Sequence, residues 1–174
     1  DNPFRPENYE RDLRAGPGAT KAWCAQFLDA EFGTMEGQVY ESFSRDVHVL
    51  PAASLAGRSW RHVVVGTDWG WTHPGTMIVC AQDGLGDIYV LAEAVHERKV
   101  VADTDDGWVT VAEKLCRAHA PQGFHCDPSQ PGHLETLARG LRRRRVRASV
   151  YDADNDVGNG LREIAARLES AVER

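Results

Sequence analysis

Two aspartates follow stretches that are typical of buried strands, and their carboxylates are suited to bind a divalent cation. Asp68 follows the β-branched run in VVVGTDWG, and Asp127 ends the stretch GFHCD. Strand ends at one edge of a mixed sheet lie close together when the strands are neighbours, and two carboxylates so placed repel unless a cation lies between them. Mg²⁺ and Mn²⁺ prefer oxygen ligands, and two such ions about 4 Å apart support phosphodiester cleavage. Each aspartate alone is also typical of a turn or a helix entry, but the pair favours a metal site.

Other acidic residues are weaker candidates for the same site. Glu93 stands in VLAEAV at the predicted end of the third strand, where it either approaches the metal or is a surface acid. Asp152, Asp154 and Asp156 lie in a loop that contains glycine and asparagine. We expect Asp154 and Asp156 either to help to bind metal or to be solvated loop acids.

A run of arginines could contact a phosphate backbone. The stretch LARGLRRRRVRAS carries six arginines between Arg139 and Arg147. The guanidinium group of arginine binds phosphates through two hydrogen bonds, so the run predicts contact with double-stranded DNA if it lies beside the acidic edge. The alternative is a solvated helix end followed by an edge strand protected by charge. The predicted DNA-binding residues are Arg142, Arg143, Arg144, Arg145 and Arg147.

The bulk composition limits the class of protein. The chain has 174 residues, of which 42% are hydrophobic, and this is enough for one folded domain with an attached segment. No stretch is long and apolar enough to span a membrane. The net charge of -6 argues mildly against a general nucleic-acid coat, although it allows a local basic surface. The four cysteines lack a CxxC spacing and are expected to be reduced.

The strands and helices that position these residues begin after residues 1–59, which do not show the same α/β sequence pattern. Residues 1–59 read as helices and an extended connector, with helical spacing of Trp23, Phe27 and Leu28. Residues 60–174 have the pattern of an α/β domain, a mixed sheet with helices on its faces. The predicted strands are 62–67, 76–81, 87–95, 123–127 and 145–151, and the predicted helices are 107–119, 131–140 and 159–172.

Three stretches together resemble a known family. VVVGTDWGWTHPGTMIVCAQDG, IYVLAEAVHERK and GFHCDPSQPGHLETLARGLRRRRVRASVYDADNDVGNGLREI resemble, in order, the nuclease domain of the large terminase subunit of tailed bacteriophages. The upstream EFGTMEGQVYESF resembles the segment that joins the packaging ATPase to this nuclease. The resemblance implies a ribonuclease H-like fold and residues 1–59 as a linker from the ATPase domain.

The same resemblance implies an activity. It implies an endonuclease that cuts concatemeric viral DNA with two Mg²⁺ or Mn²⁺ ions, with Asp68 and Asp127 as ligands. It also implies a portal ring and a small terminase subunit as partners, in the cytoplasm of the bacterial host. The family takes a further aspartate from a late helix. No matching run stands between Gly160 and Arg174, so we expect the chain to stop before it and to be a weak nuclease alone.

Two other functions fit parts of the pattern. An actin-like or sugar-kinase ATPase shares the strand-DxG opening, but it needs a second glycine-rich phosphate turn, for which the GNG at Gly158 is a poor match. A non-catalytic module that docks or positions DNA would explain the missing third acid. Mn²⁺ binding and plasmid nicking separate these functions from the nuclease.

Overall fold

The computed structural model describes residues 9–16 and 39–172. The helix predicted around Trp23 lies outside the described residues. The described helices are α1 (Tyr9–Arg14), α2 (Arg45–His48), α3 (Trp108–His119), α4 (Pro131–Arg143) and α5 (Val157–Val172). The strands are β1 (His62–Asp68), β2 (Gly75–Gln82), β3 (Ile88–His96), β4 (Gly123–Cys126) and β5 (Ser149–Asp152). None of these helices is long and apolar enough to cross a membrane.

The five strands form one mixed sheet in the order β3-β2-β1-β4-β5. Strand β2 runs antiparallel to both β1 and β3, because tight connections join the three consecutive strands. Strands β1, β4 and β5 run parallel to one another, and helix α4 makes the crossover from β4 to β5. The predicted α/β class with a ribonuclease H-like sheet is therefore confirmed.

The core lies between one face of the sheet and the helices α3 and α4. Alternate residues of the strands face it, as the two-residue period of a strand requires. Helix α3 contributes Trp108 and Val109, both with no exposed surface, and α4 contributes Leu137 and Leu141. The buried residues that the sheet contributes are Val63, Val65, Thr67, Met77, Val79, Ala81, Phe124 and Cys126. The two helices are thus fixed to the sheet by apolar packing along their length.

Helix α4 and strand β5 differ from their predicted bounds. The helix continues to Arg143 rather than ending at 140, and β5 begins at Ser149 rather than at 145. The N–H of Val146 donates to the carbonyl of Leu141 at 2.9 Å, and the N–H of Arg145 donates to that of Arg142 at 3.1 Å. These two bonds form a Schellman motif, which ends the helix and delays the strand.

The chain divides into two compact units. One contains Asp1–Ala56 with Asp156–Arg174, and the other is Gly57–Asn155. In the first unit the ring of His48 donates a hydrogen bond from Nε2 to the carbonyl of Leu168 at 2.9 Å, which ties α2 to α5. The second unit contains the whole sheet with α3 and α4, and it carries Asp68 and Asp127.

Candidate active site

Asp68 and Asp127 lie side by side at the carboxyl edge of the parallel strands. The register pairs Thr67 of β1 with Cys126 of β4, and the backbone N–H of Asp127 donates to the carbonyl of Thr67 at 3.1 Å. The two aspartates occupy the next position on each strand, where neighbouring backbones are about 4.8 Å apart. Thr67 and Cys126 face the core, so the aspartates face the opposite side, and Asp68 is exposed.

Three hydrogen bonds hold the carboxylate of Asp127. Its Oδ1 accepts the backbone N–H of Ser129 at 3.0 Å and the side-chain amide of Asn155 at 2.9 Å. Its Oδ2 accepts the hydroxyl of Ser129 at 2.5 Å. These hydrogen bonds hold the pKa of Asp127 below its usual range. The Ser129 hydroxyl has the largest effect, followed by the Asn155 amide and the Ser129 N–H. The carboxylate is therefore ionised and oriented.

The sequence-based reasoning missed both of these partners. Ser129 is two residues from Asp127, and the Asp-Pro-Ser spacing is a signal for an Asx turn that could have identified it. Asn155 is 28 residues away on the loop after β5, and no local pattern connects it to Asp127. Only the pairing of β5 with β4 brings it to this edge.

A glycine and a tryptophan fix the end of β1. A Cβ at Gly70 would lie 2.3 Å from the carbonyl oxygen of His73 and 2.5 Å from the N of Gly75, so no side chain fits in this turn. Trp69 packs edge-on against Trp108 of α3 and His133 of α4, with centroids 6.5 and 5.4 Å apart. The turn and the wedged ring together restrict how far Asp68 can move.

The other predicted acidic ligands lie in different surroundings. Glu93 is exposed within β3 and pairs with Ile78, two strands from β1. Asp154 is exposed on the loop beside Asn155. Asp156 accepts the N–H of Asn159 at 2.9 Å and so caps the first turn of α5. Within residues 9–16 and 39–172, no group of three or more His, Cys, Asp or Glu residues is placed to hold a metal ion.

The arginine run does not lie beside the acidic edge, so the condition under which the sequence favoured DNA contact is not met, and contact of these arginines with DNA stays a prediction. Helix α4 starts beside the end of β4 and returns to the start of β5, and its 13 residues span about 20 Å. Arg142 to Arg147 therefore lie at the opposite edge of the sheet from Asp127. Arg144 is already bound by two carboxylates, Asp103 at 2.7 Å and Glu113 at 2.6 Å.

Solved structures of a phage large terminase share this fold. One structure of the large terminase from a thermophilic bacteriophage, in complex with ADP, aligns with 95% of the chain at 21% identity and a TM-score of 0.63. A second structure of that terminase aligns with 98% of the chain at 23% identity and a TM-score of 0.63. A structure from another crystal form aligns with 77% of the chain at 24% identity and a TM-score of 0.55. The chain spans 40%, 41% and 32% of those terminase chains. No protein-family model matches it, and no curated protein does. The fold that the sequence resemblance implied is confirmed.

Proposed function

We propose that this chain is the nuclease part of a phage terminase large subunit and cuts double-stranded DNA by metal-dependent phosphodiester hydrolysis. The observation that carries the proposal is the placement of Asp68 and Asp127 on adjacent parallel strands, in a fold shared with large terminases. The proposal also takes residues 1–59 as the linker from an ATPase domain.

The donor set suits a hard divalent cation. Asp68 and Asp127 offer carboxylate oxygens, the ligands that Mg²⁺ and Mn²⁺ prefer, and Asp127 is held in its ionised form. Such ions, when bound, activate a water and stabilise the leaving oxygen. Ser129 and Asn155 orient the Asp127 carboxylate, and Asp154 and Glu93 are further acids that we propose to test as ligands.

The surroundings of this edge favour phosphate. The N-terminal end of α4 lies here, because this helix begins just after Asp127 and runs from this edge back towards the start of β5. A helix N-terminus carries partial positive charge and free N–H groups that attract anions. This arrangement is compatible with a DNA backbone that approaches Asp68 and Asp127.

The place of the protein in a larger assembly is part of the proposal. We expect it to act on viral DNA in the cytoplasm of the bacterial host, with a portal ring and a small terminase subunit as partners. Two exposed arginines of the run, Arg142 and Arg143, are candidates for contact with DNA at a distance from the cut.

Calorimetric titration with Mn²⁺ tests the proposed metal site. We expect the wild-type chain to bind Mn²⁺, and Asp68→Asn and Asp127→Asn each to weaken binding by at least about tenfold, because each removes a charged oxygen ligand. Glu135→Gln, which alters an exposed acid on α4, is the matched control and should bind as the wild type does. Equal Mn²⁺ affinity in all four proteins would contradict the proposal.

A further inference from the structure

A basic groove lies at the edge of the sheet opposite the two aspartates. It has a volume of about 320 Å³ and runs between the C-terminal ends of α3 and α4. Four arginines line it, namely Arg117, Arg144, Arg145 and Arg147. Four apolar or weakly polar residues line it as well, namely Cys116, Ala120, Pro121 and Val146. The groove thus combines basic and apolar lining residues.

The charges in the groove are only partly balanced. Glu113 is its single acidic lining residue, and it pairs with both Arg117 and Arg144, each at 2.6 Å. Arg145 and Arg147 are exposed, and neither has a side-chain hydrogen bond or ion pair within the described part of the chain. The whole chain carries a net charge of -6, so this local excess of positive charge stands out against an acidic background.

The backbone of Arg145 is strained. Its φ of 58° places it in the left-handed region, at the C′ position of the Schellman motif that ends α4. Glycine is the residue that adopts this position without a steric penalty. Arginine here costs stability, and a strained position that persists is a reason to look for a function of its side chain.

We propose that this groove binds an acidic segment of a partner protein. Arginine binds carboxylates through two parallel hydrogen bonds, and the apolar lining residues Ala120, Pro121 and Val146 suit apolar side chains interleaved with acidic ones. The apolar lining residues beside the arginines distinguish this surface from one that contacts only phosphates. The proposal concerns a surface about 20 Å from Asp127 and does not depend on nuclease activity.

Fluorescence anisotropy tests the proposal with three labelled probes. These are a short peptide of alternating glutamate and leucine, the same peptide with serine for glutamate, and a random-sequence DNA duplex. The groove variant combines Arg145→Gly with Arg147→Ala. The matched control combines Arg142→Ala with Arg143→Ala, which removes the same charge from adjacent positions outside the groove.

The wild type should bind the acidic peptide and not the serine peptide. The groove variant should lose at least about tenfold in affinity for the acidic peptide, because two charge-assisted contacts are removed, and the control should change less than about twofold. Arg145→Gly alone should unfold at an equal or higher temperature while it binds the peptide more weakly, which separates a binding role from a folding defect. Equal losses in both double variants, or a selective loss of duplex binding in the groove variant, would overturn the proposal.

Discussion

The replacement Asn155→Asp probes the candidate active site through a charge added at a known distance. The amide of Asn155 lies 2.9 Å from Oδ1 of Asp127 and donates a hydrogen bond to it. An aspartate carboxylate in place of the amide cannot donate this hydrogen bond, and the loss of the bond costs about 1 kcal/mol of stability. The carboxylate also adds a repulsion of about 1.4 kcal/mol in a water-like dielectric. We expect the metal-free variant to be roughly 2 kcal/mol less stable, which lowers the midpoint of thermal unfolding by about 4–8 °C.

Divalent metal should reverse this loss. A cation beside Asp127 turns the added carboxylate from a repelling neighbour into a further ligand, so millimolar Mn²⁺ should raise the midpoint of Asn155→Asp more than that of the wild type. Asn155→Ala removes the hydrogen bond without adding charge and should show no extra gain. Differential scanning fluorimetry with and without Mn²⁺ measures all three proteins. If Mn²⁺ raises the midpoint of Asn155→Asp no more than that of Asn155→Ala, Asp127 does not face a metal site.

Two further predictions concern the packing of α3 and α4. A Cβ at Gly140 would lie 2.6 and 2.8 Å from the γ-carbons of buried Val109, whereas one at Gly132 of the same helix meets nothing within 4 Å. In urea unfolding, Gly140→Ala should lower the free energy of unfolding by about 1 kcal/mol, because overpacking outweighs the gain in helix propensity. Gly132→Ala should not lower the free energy of unfolding. Equal effects of the two replacements would refute the close packing. Arg144 holds the pKa of Glu113 below its usual range, so this pair stabilises the protein above about pH 4.3, and its contribution is lost as the pH falls through the lowered pKa. The acid limb of a stability–pH curve should be flatter for Arg144→Gln, and an unchanged limb would show that the pair contributes nothing.

Local patterns were enough to predict most of the sheet. The alternation and β-branched residues of His62–Asp68 indicate a strand, and the DGLG turn predicts the hairpin that follows. In that turn Oδ1 of Asp83 accepts the N–H groups of Leu85 and Asp87, and Gly86 has a φ of 95°. These features depend on neighbours in sequence, so the sequence alone reveals them.

The errors came from features without a local signal. Helix α4 ends in a left-handed residue, and Arg145 stands where a glycine would have marked the end, so the start of β5 was placed too early. DNA contact by the arginines was predicted only if they lay beside the acidic edge, and a helix that joins two parallel strands returns to their opposite edge. The contact between Asn155 and Asp127 depends on the pairing of β5 with β4, which no spacing reveals.

The most direct test of the central claim is nicking of supercoiled plasmid by the purified chain in Mn²⁺. The proposal predicts slow conversion of supercoiled to nicked and linear DNA by the wild type, and no conversion by Asp68→Asn or Asp127→Asn, although both variants remain folded. Arg142→Ala with Arg143→Ala should still nick, because these arginines lie about 20 Å from the aspartates. Nicking at the wild-type rate by either aspartate variant, or no nicking by a wild-type chain that has bound Mn²⁺, would contradict the claim that these two carboxylates form the centre of a nuclease.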